Sequence, residues 1–438
     1  MCLPGFRKLS FIACAAAVGL LAVARPAQSQ GSRCSLRIQA PSRSSVGVPD
    51  SEGAYTTYLG GGKVTLWCGD AVMTGDSAVH YETEERAEMI GNVVYRDTTR
   101  SLDADHLTYF EASDQVVAVG DVRLVRLATG AQLDGPHVSF FRAAAAESRS
   151  IAKDRPRMTM PAAQPDGEPI IVDSDVAEFV GNENAFAWGN VLISRSDFRA
   201  TADSARFNPG EVRLYGNPVV TSHGLSLAGD SIVTTFADGD LDLVHALGNA
   251  RATGEDLILQ SSEILIDSGP EYIDRAWAFG VGRSLGAMGR FLISGDSLDF
   301  AFVGGEIDSV TSVGDARSFQ MNEGPAPNGD LSEPEATITG GADWLVGDTI
   351  RAWFEEGSVD SEPDRRQIRQ LLARGSARSL FSGVRDSTAT AQQSRNYLLG
   401  SSIDILFVAG EPDEVVADHA IGVFLEPSST RQEPPSRE

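Results

Sequence analysis

Gly91-Asn92-Val93-Val94-Tyr95, followed by Leu102-Asp103-Ala104-Asp105-His106-Leu107-Thr108-Tyr109 and then Val119-Gly120-Asp121-Val122, decides how this chain folds. Glycine tolerates positive φ and Asn or Asp bonds its own backbone in a turn, so Gly-Asn and Gly-Asp read as corners. After each corner the apolar residues alternate, Val93 with Tyr95 and Val122 with Leu124, as a half-buried strand requires. Successive side chains leave a strand on opposite faces, so this set faces inward. The residue between them is often arginine (Arg123, Arg251, Arg317, Arg378), which the alternation places toward water.

The same two-part pattern runs outward along the chain. The corner half returns at Gly189-Asn190-Val191, Gly216-Asn217-Pro218, Gly248-Asn249-Ala250, Gly314-Asp315-Ala316 and Gly375-Ser376-Ala377. The other half puts Asp after a small residue and before an alternating run: Gly75-Asp76-Ser77, Ala202-Asp203-Ser204, Gly229-Asp230-Ser231, Gly295-Asp296-Ser297, Gly347-Asp348-Thr349 and a worn Gly400-Ser401-Ser402. Its apolar pairs share one face: Leu107 and Tyr109, Ile232 and Thr234, Leu298 and Phe300, Ile403 and Ile405. Clear neighbours are roughly 27 to 34 residues apart, the range of stacked repeats. Each repeat has one apolar face it cannot bury alone, and stacking buries it in a continuous interior. The expectation is an all-β chain of repeated short strands. Helical periodicity is confined to 364–373, which reads as a short helix or a charged turn.

Composition shifts divide the chain into 1–30 as a signal peptide, 31–63 as a flexible segment, 64–157 as a first β-repeat lobe and 158–170 as a Pro-rich interruption. Residues 171–320 follow as a second lobe, 321–341 as a linker, 342–428 as a degenerate third lobe and 429–438 as a disordered tail. The first two lobes are expected to be continuous. Arg7 and Lys8 precede an apolar run from Leu9 to Val23, and small residues such as Ala27-Gln28-Ser29 mark a cleavage zone, the pattern of an export signal. Cys14 after Phe11-Ile12-Ala13 leaves a lipidated anchor as the alternative. Export predicts a periplasmic protein with a cleaved signal peptide, and association with the outer membrane as a further step.

Of the four cysteines, Cys2 and Cys14 belong to the leader. Cys34 and Cys68 are expected to form a disulfide in an oxidising compartment, with two free thiols as the alternative. The net charge is −25, and the leader removes three cations and no acid. That sign excludes a nucleic-acid binder and argues against broad adhesion to an anionic membrane.

These residues resemble OstA-like domains. The cadence from Gly91 to Val122 returns from Ala187-Trp188-Gly189-Asn190-Val191 through Thr201-Ala202-Asp203-Ser204-Ala205-Arg206-Phe207. The resemblance is good over 64–141 and 171–236 and fades toward Val423. It implies an open β-jellyroll (β-taco-like) array, and the family includes the LptA-type periplasmic bridge of lipopolysaccharide export and the N-terminal domain of its outer-membrane partner. It further implies lipid transfer along an apolar groove, with lipopolysaccharide or another acylated envelope lipid as cargo. Partners would be other OstA-like components of that transport system, met through edge strands, and head-to-tail self-association follows from unpaired ends. The chain departs from the family in its length, in lacking a large barrel, and in the small inward residues of its later repeats: Ala250 and Ala252, Ala316 and Ser318, Ala377 and Ser379.

On that reading Val93, Tyr95, Leu107, Tyr109, Val122, Leu124, Val191, Ile193, Phe207, Ile232, Leu298 and Phe300 line the lipid groove; the alternative is a closed, packed core. No cofactor, metal or catalytic group is expected. His80, His106, His137, His223, His245 and His419 lack ligand spacing. Asp238-Gly239-Asp240-Leu241-Asp242 reads as a hairpin turn rather than a calcium loop. Gly224-Leu225-Ser226-Leu227-Ala228 lacks the strand-to-helix context of a nucleophile elbow, and 280–286 lacks a dinucleotide fingerprint. The recurring Asp76, Asp203, Asp230 and Asp296 read as turn caps rather than glycosidase carboxylates. The expected function is therefore a non-enzymatic lipid-binding or bridging protein, against a periplasmic β-scaffold or a β-helical polysaccharide-active enzyme.

Overall fold

Gly91 and Asn92 lie at φ 75° and 43°, in the left-handed region that suits glycine and, after it, asparagine. In the strand Arg86–Arg96, Ile90 pairs with His106 and Val93 with Ala104, so Gly91 and Asn92 together oppose Asp105. Two residues against one is a β-bulge, and it bends the strand without ending it. The paired positive φ values recur at Gly189–Asn190, Gly216–Asn217, Gly248–Asn249, Gly314–Asp315 and Gly375–Ser376. The short strands expected on either side of a corner are thus often one long bent strand, as in Asn184–Ser194 and the 17-residue Arg366–Ser382.

The computed structural model describes residues 34–425 except 42–44, 50, 52, 54, 143–147, 163, 165–166, 238, 322–323, 325–328, 338–341, 357–365, 383–394 and 409–410. The expected signal peptide, with Cys2 and Cys14, and the expected tail lie outside the described residues. So does Asp238, although Ala237 pairs with Asp240 across that hairpin. Among the described residues 32 strands form one antiparallel sheet and there is no helix. The chain is all-β, a jellyroll-like array. Because the long strands bend at a corner and the shorter ones, such as Ala71–Gly75 and Ser77–Tyr81, meet at one, the column of corners is a crease, and the sheet folds along it into two walls. Residues 86–90, 106–110 and 115–119 belong to the first wall; 93–96, 100–103 and 122–126 belong to the second. Strand-to-strand turns fall at the outer rims, and the gap between the two rims is the mouth.

The described part of the stretch 364–373 is not a helix. From Arg366 it is strand, paired with Asp343–Glu356. Trp353 pairs with Gln370 but Phe354 pairs with Ile368, so a bulge at Arg369 shifts the alternation by one residue. Ile368 and Leu371 then stand three apart, which imitates helical spacing.

One apolar core runs along the crease from Leu59 to Phe407. It contains Ala250, Ala252, Ala316 and Ala377, so the small residues of the later repeats face inward, and there the walls close on each other. A Cβ on Gly286 in the second wall would lie 2.8 Å from Phe300 Cζ of the first. At the start of the stack Cys34 and Cys68 are joined in a disulfide across Cα atoms 5.3 Å apart.

Neither interruption breaks the sheet. The strand Arg157–Met160 pairs with both 132–134 and Ile170–Asp173, so the second wall continues on either side of 161–169. Glu306–Gln320 pairs directly with Asp343–Glu356 on either side of 321–341. Residues 329–337 lie as a strap on the outer face of the second wall. Leu331 packs there in a second core with Ile258, Ala287, Leu292, Phe319, Trp344, Val346 and Leu380. The outward arginines of this region do not simply face water. Arg317 and Arg283 both hold Glu333 of the strap, at 2.8 and 2.9 Å, and Arg251 donates to Gly329 O at 3.0 Å. Arg123, on the uncovered part of the wall, is exposed and paired with Asp134.

Candidate functional site

All twelve residues expected to line a groove lie on the inward face and belong to the one apolar core, none more than 2% exposed. They fill the interior rather than border an opening. Tyr95 of the second wall meets Phe140 of the first edge to face, with ring centroids 5.2 Å apart. Leu124 borders a void of about 10 Å³, at the threshold for a single water. The tyrosine hydroxyls find partners as buried phenols require: Tyr95 donates to Asp97 at 2.7 Å and Tyr109 to Asp114 at 2.9 Å. Burial pushes both phenols well above the ordinary tyrosine value, and the neighbouring aspartates push the same way.

The space lies at the mouth. One opening of about 630 Å³ sits between Arg126, Met160 and Ile170 of the second wall and Val212 and Phe236 of the first. It adjoins a second, of about 420 Å³, through Arg195, Glu168 and Gly239. A third, of about 480 Å³, continues from His223 and has Leu225, Leu257 and Met288 opposite Ile273, Phe302 and Ile307. These volumes fall within the range of small-molecule sites.

Four arginines cross this mouth. Arg142, on the first wall, reaches Asp70 at 3.1 Å on the second. From the second wall, Arg100 donates to Ser150 Oγ at 3.0 Å and its guanidinium stands 4.5 Å from the Phe140 ring centroid. Arg126 donates to the carbonyls of Asn182 and Asn184 at 2.8 and 3.0 Å and lies 4.1 Å over Phe179. Arg195 binds Asp197 and donates to Gly239 O, with Phe236 5.2 Å away. Buried cations are stable when paired or stacked, and Arg126 differs from the others in having no carboxylate within ion-pair distance among the described residues. Burial, with the repulsion of Arg100, lowers its pKa to about 10.

The resemblance to lipid-transfer domains pointed to the interior and missed these arginines. Their signal was in the alternation: each stands one inward step beyond an inward apolar residue, Arg100 before Leu102, Arg126 after Leu124, Arg142 after Phe140 and Arg195 after Ile193. The histidines do not converge. His80 pairs with Glu111 and His245 with Glu263, and no group of metal-ligating side chains occurs among the described residues. Ser226 lies in the strand Leu225–Ala228, opposite Thr221, with no histidine in its pairing register. The recurring aspartates sit at the corners: Asn92 donates to Asp76 at 2.7 Å and Asn249 to Asp230 at 3.1 Å.

The fold and this mouth define a class: an all-β, two-walled array with an apolar interior and a mouth crossed by arginines. Compared with known protein families and with curated proteins, the chain matches none.

Proposed function

We propose that this chain is a periplasmic lipid carrier or bridging element of the lipopolysaccharide-export type, an OstA-like protein that shelters acyl chains between its walls. The observation that carries the reading is the trough itself: an apolar interior continuous from Leu59 to Phe407, reached through a row of openings along one mouth. Each methylene withdrawn from water into such an interior contributes about 0.8 kcal/mol. Because the interior residues pack against each other, chains enter as the walls part, and the arginine contacts across the mouth are the bonds that yield.

The ends of the stack support a bridging role. Among the described residues, Arg37–Gln39 and Ser45–Pro49 are the free edges at one end, and Glu411–Asp418 and Ile421–Leu425 are the free edges at the other. Ser45–Pro49 runs from crease to rim while Glu411–Asp418 runs from rim to crease, so a second copy or a related domain extends the antiparallel sheet in register.

The test is native mass spectrometry with lipid extraction on the leaderless protein purified from the periplasm. A bound acylated lipid is the expected result. A protein still empty after incubation with lipopolysaccharide and phospholipid overturns the reading in favour of a non-enzymatic envelope scaffold, the alternative that the filled interior favours.

A further inference from the structure

Arg126 closes one side of the largest of the three mouth openings and is 6% exposed. Two of its N–H groups are spent on carbonyl oxygens, and among the described residues no carboxylate lies within ion-pair distance, Glu183 acting on its charge only from farther away. A buried cation without a counter-ion is costly, and an incoming anion relieves that cost. The other charges of the opening are mostly committed. Arg195 holds Asp197, Glu211 holds Arg213 at 2.7 Å, and Glu168 accepts from Ser196 N at 3.1 Å. Glu183 alone faces the opening with its charge directed toward Arg126. Beside Arg126 the walls are apolar, with Met160 and Ile170 on one side and Val212 and Phe236 on the other.

We propose that this opening binds a single-chain amphiphile with a carboxylate head, a long-chain fatty acid, its carboxylate on Arg126 and its chain lying between Ile170 and Phe236. A guanidinium suits this head because it presents parallel donors to both carboxylate oxygens. At about 630 Å³ the opening accepts one acyl chain, not the bundle of a multiply acylated envelope lipid. The inference rests on the carrier reading for the chain's contact with amphiphiles, and it places a separate ligand at the rim.

The test is calorimetric titration of the delipidated, leaderless full chain with oleate, oleyl alcohol and oleoyl lysophosphatidate. Oleate is expected to bind one to one and more tightly than the other two. R126Q is expected to lose at least about tenfold in oleate affinity, the usual size of a charged hydrogen-bonding contact. E183Q, which leaves the contacts of Arg126 in place, is expected to tighten binding and keeps the test decisive if R126Q does not fold. Equal affinity for oleate and oleyl alcohol overturns the proposal, as does an unchanged oleate affinity in a folded R126Q or in E183Q. Lysophosphatidate binding more tightly than oleate overturns the carboxylate assignment. Envelope lipid recovered from the periplasmic protein with no oleate binding leaves the carrier reading standing and removes this site; oleate binding through Arg126 with no recovered envelope lipid does the reverse.

Discussion

Asn190 Nδ2 donates to Asp175 Oδ2 at 2.8 Å, and Asp175 N in turn donates to Gly189 O at 2.9 Å. One strand's aspartate thus caps the bulge of another. The same exchange joins Asp76 to Gly91–Asn92 and Asp230 to Gly248–Asn249. The two halves of the sequence repeat are therefore two sides of one corner. Gly189 is needed twice over, by its φ of 74° and by the 2.4 Å at which a Cβ would meet Asp175 Oδ2.

D175A should lower stability by about 1 kcal/mol, the net worth of a typical hydrogen bond. Gly189→Ala should cost more, about 1–3 kcal/mol of backbone strain besides the displaced carboxylate. Thermal unfolding of both variants checks the order. A Gly189→Ala melt equal to wild type would mean that the bulge relaxes freely.

The alternation was legible in the sequence because burial follows its period of two: Val93 and Tyr95, Leu107 and Tyr109, Val191 and Ile193 all point inward. The pairing of the halves was not, because the distance from Asp to its glycine changes with strand length, from Asp76–Gly91 to Asp348–Gly375. The strap was hidden for a related reason. Its Pro- and Gly-rich composition matches a spacer, and its anchors, Arg283 and Arg317 on Glu333, are distant in sequence. The mouth arginines obey the inward phase, whereas Arg123, Arg251, Arg317 and Arg378 stand on the opposite one, and residue type alone does not tell the two sets apart. Whether the interior is filled or open depends on how two walls fit, and alternation along one strand carries no information about that.

The rim carboxylates set a pH dependence. Burial opposes the charge of Asp97, but Tyr95, Thr99 and Arg100 outweigh it, and its carboxyl lies below the usual aspartate value. Asp197 is lowered in the same way, burial again opposing and Arg195 prevailing. A carboxyl whose folded pKa is below its unfolded one, about 3.9 for aspartate, stabilises the fold above that value and ceases to as pH falls through the folded pKa. Melting temperature should therefore drop as pH falls below about 4, and D97N should show a shallower drop. An equal acid limb in D97N would remove Asp97 from the account.

Glu333 ties the strap to the second wall through two arginines, and Leu331 N donates to Gln260 Oε1 at 2.6 Å. The glutamate is largely buried and the arginines partly so, which puts E333Q at about 1 kcal/mol, the upper end for partly exposed pairs. The loss should be local. Hydrogen exchange at 329–337 should quicken while the crease strands keep their protection, and uniform quickening would show instead that the strap is integral to the main core.

The stack's two ends differ, and that fixes the kind of association they allow. Val46 and Val48 are 61% and 49% exposed at one end, Val416 and Ile421 52% and 69% at the other. Edges of this kind template further pairing. The end strand Glu411–Asp418 carries Asp413, Glu414 and Asp418, so two copies of that end repel, whereas Ser45–Pro49 carries no charge to oppose it. Pairing unlike ends is heterologous and yields an open chain rather than a closed dimer. Wild type should thus grow with concentration in sedimentation experiments. Lysines at one end, V46K with V48K, or at the other, V416K with I421K, should each stop growth, since edge lysine blunts pairing. Mixing the two variants should then produce a discrete dimer, because each retains the end that the other needs. A dimer formed by either variant alone would show that like ends pair, and would overturn head-to-tail stacking.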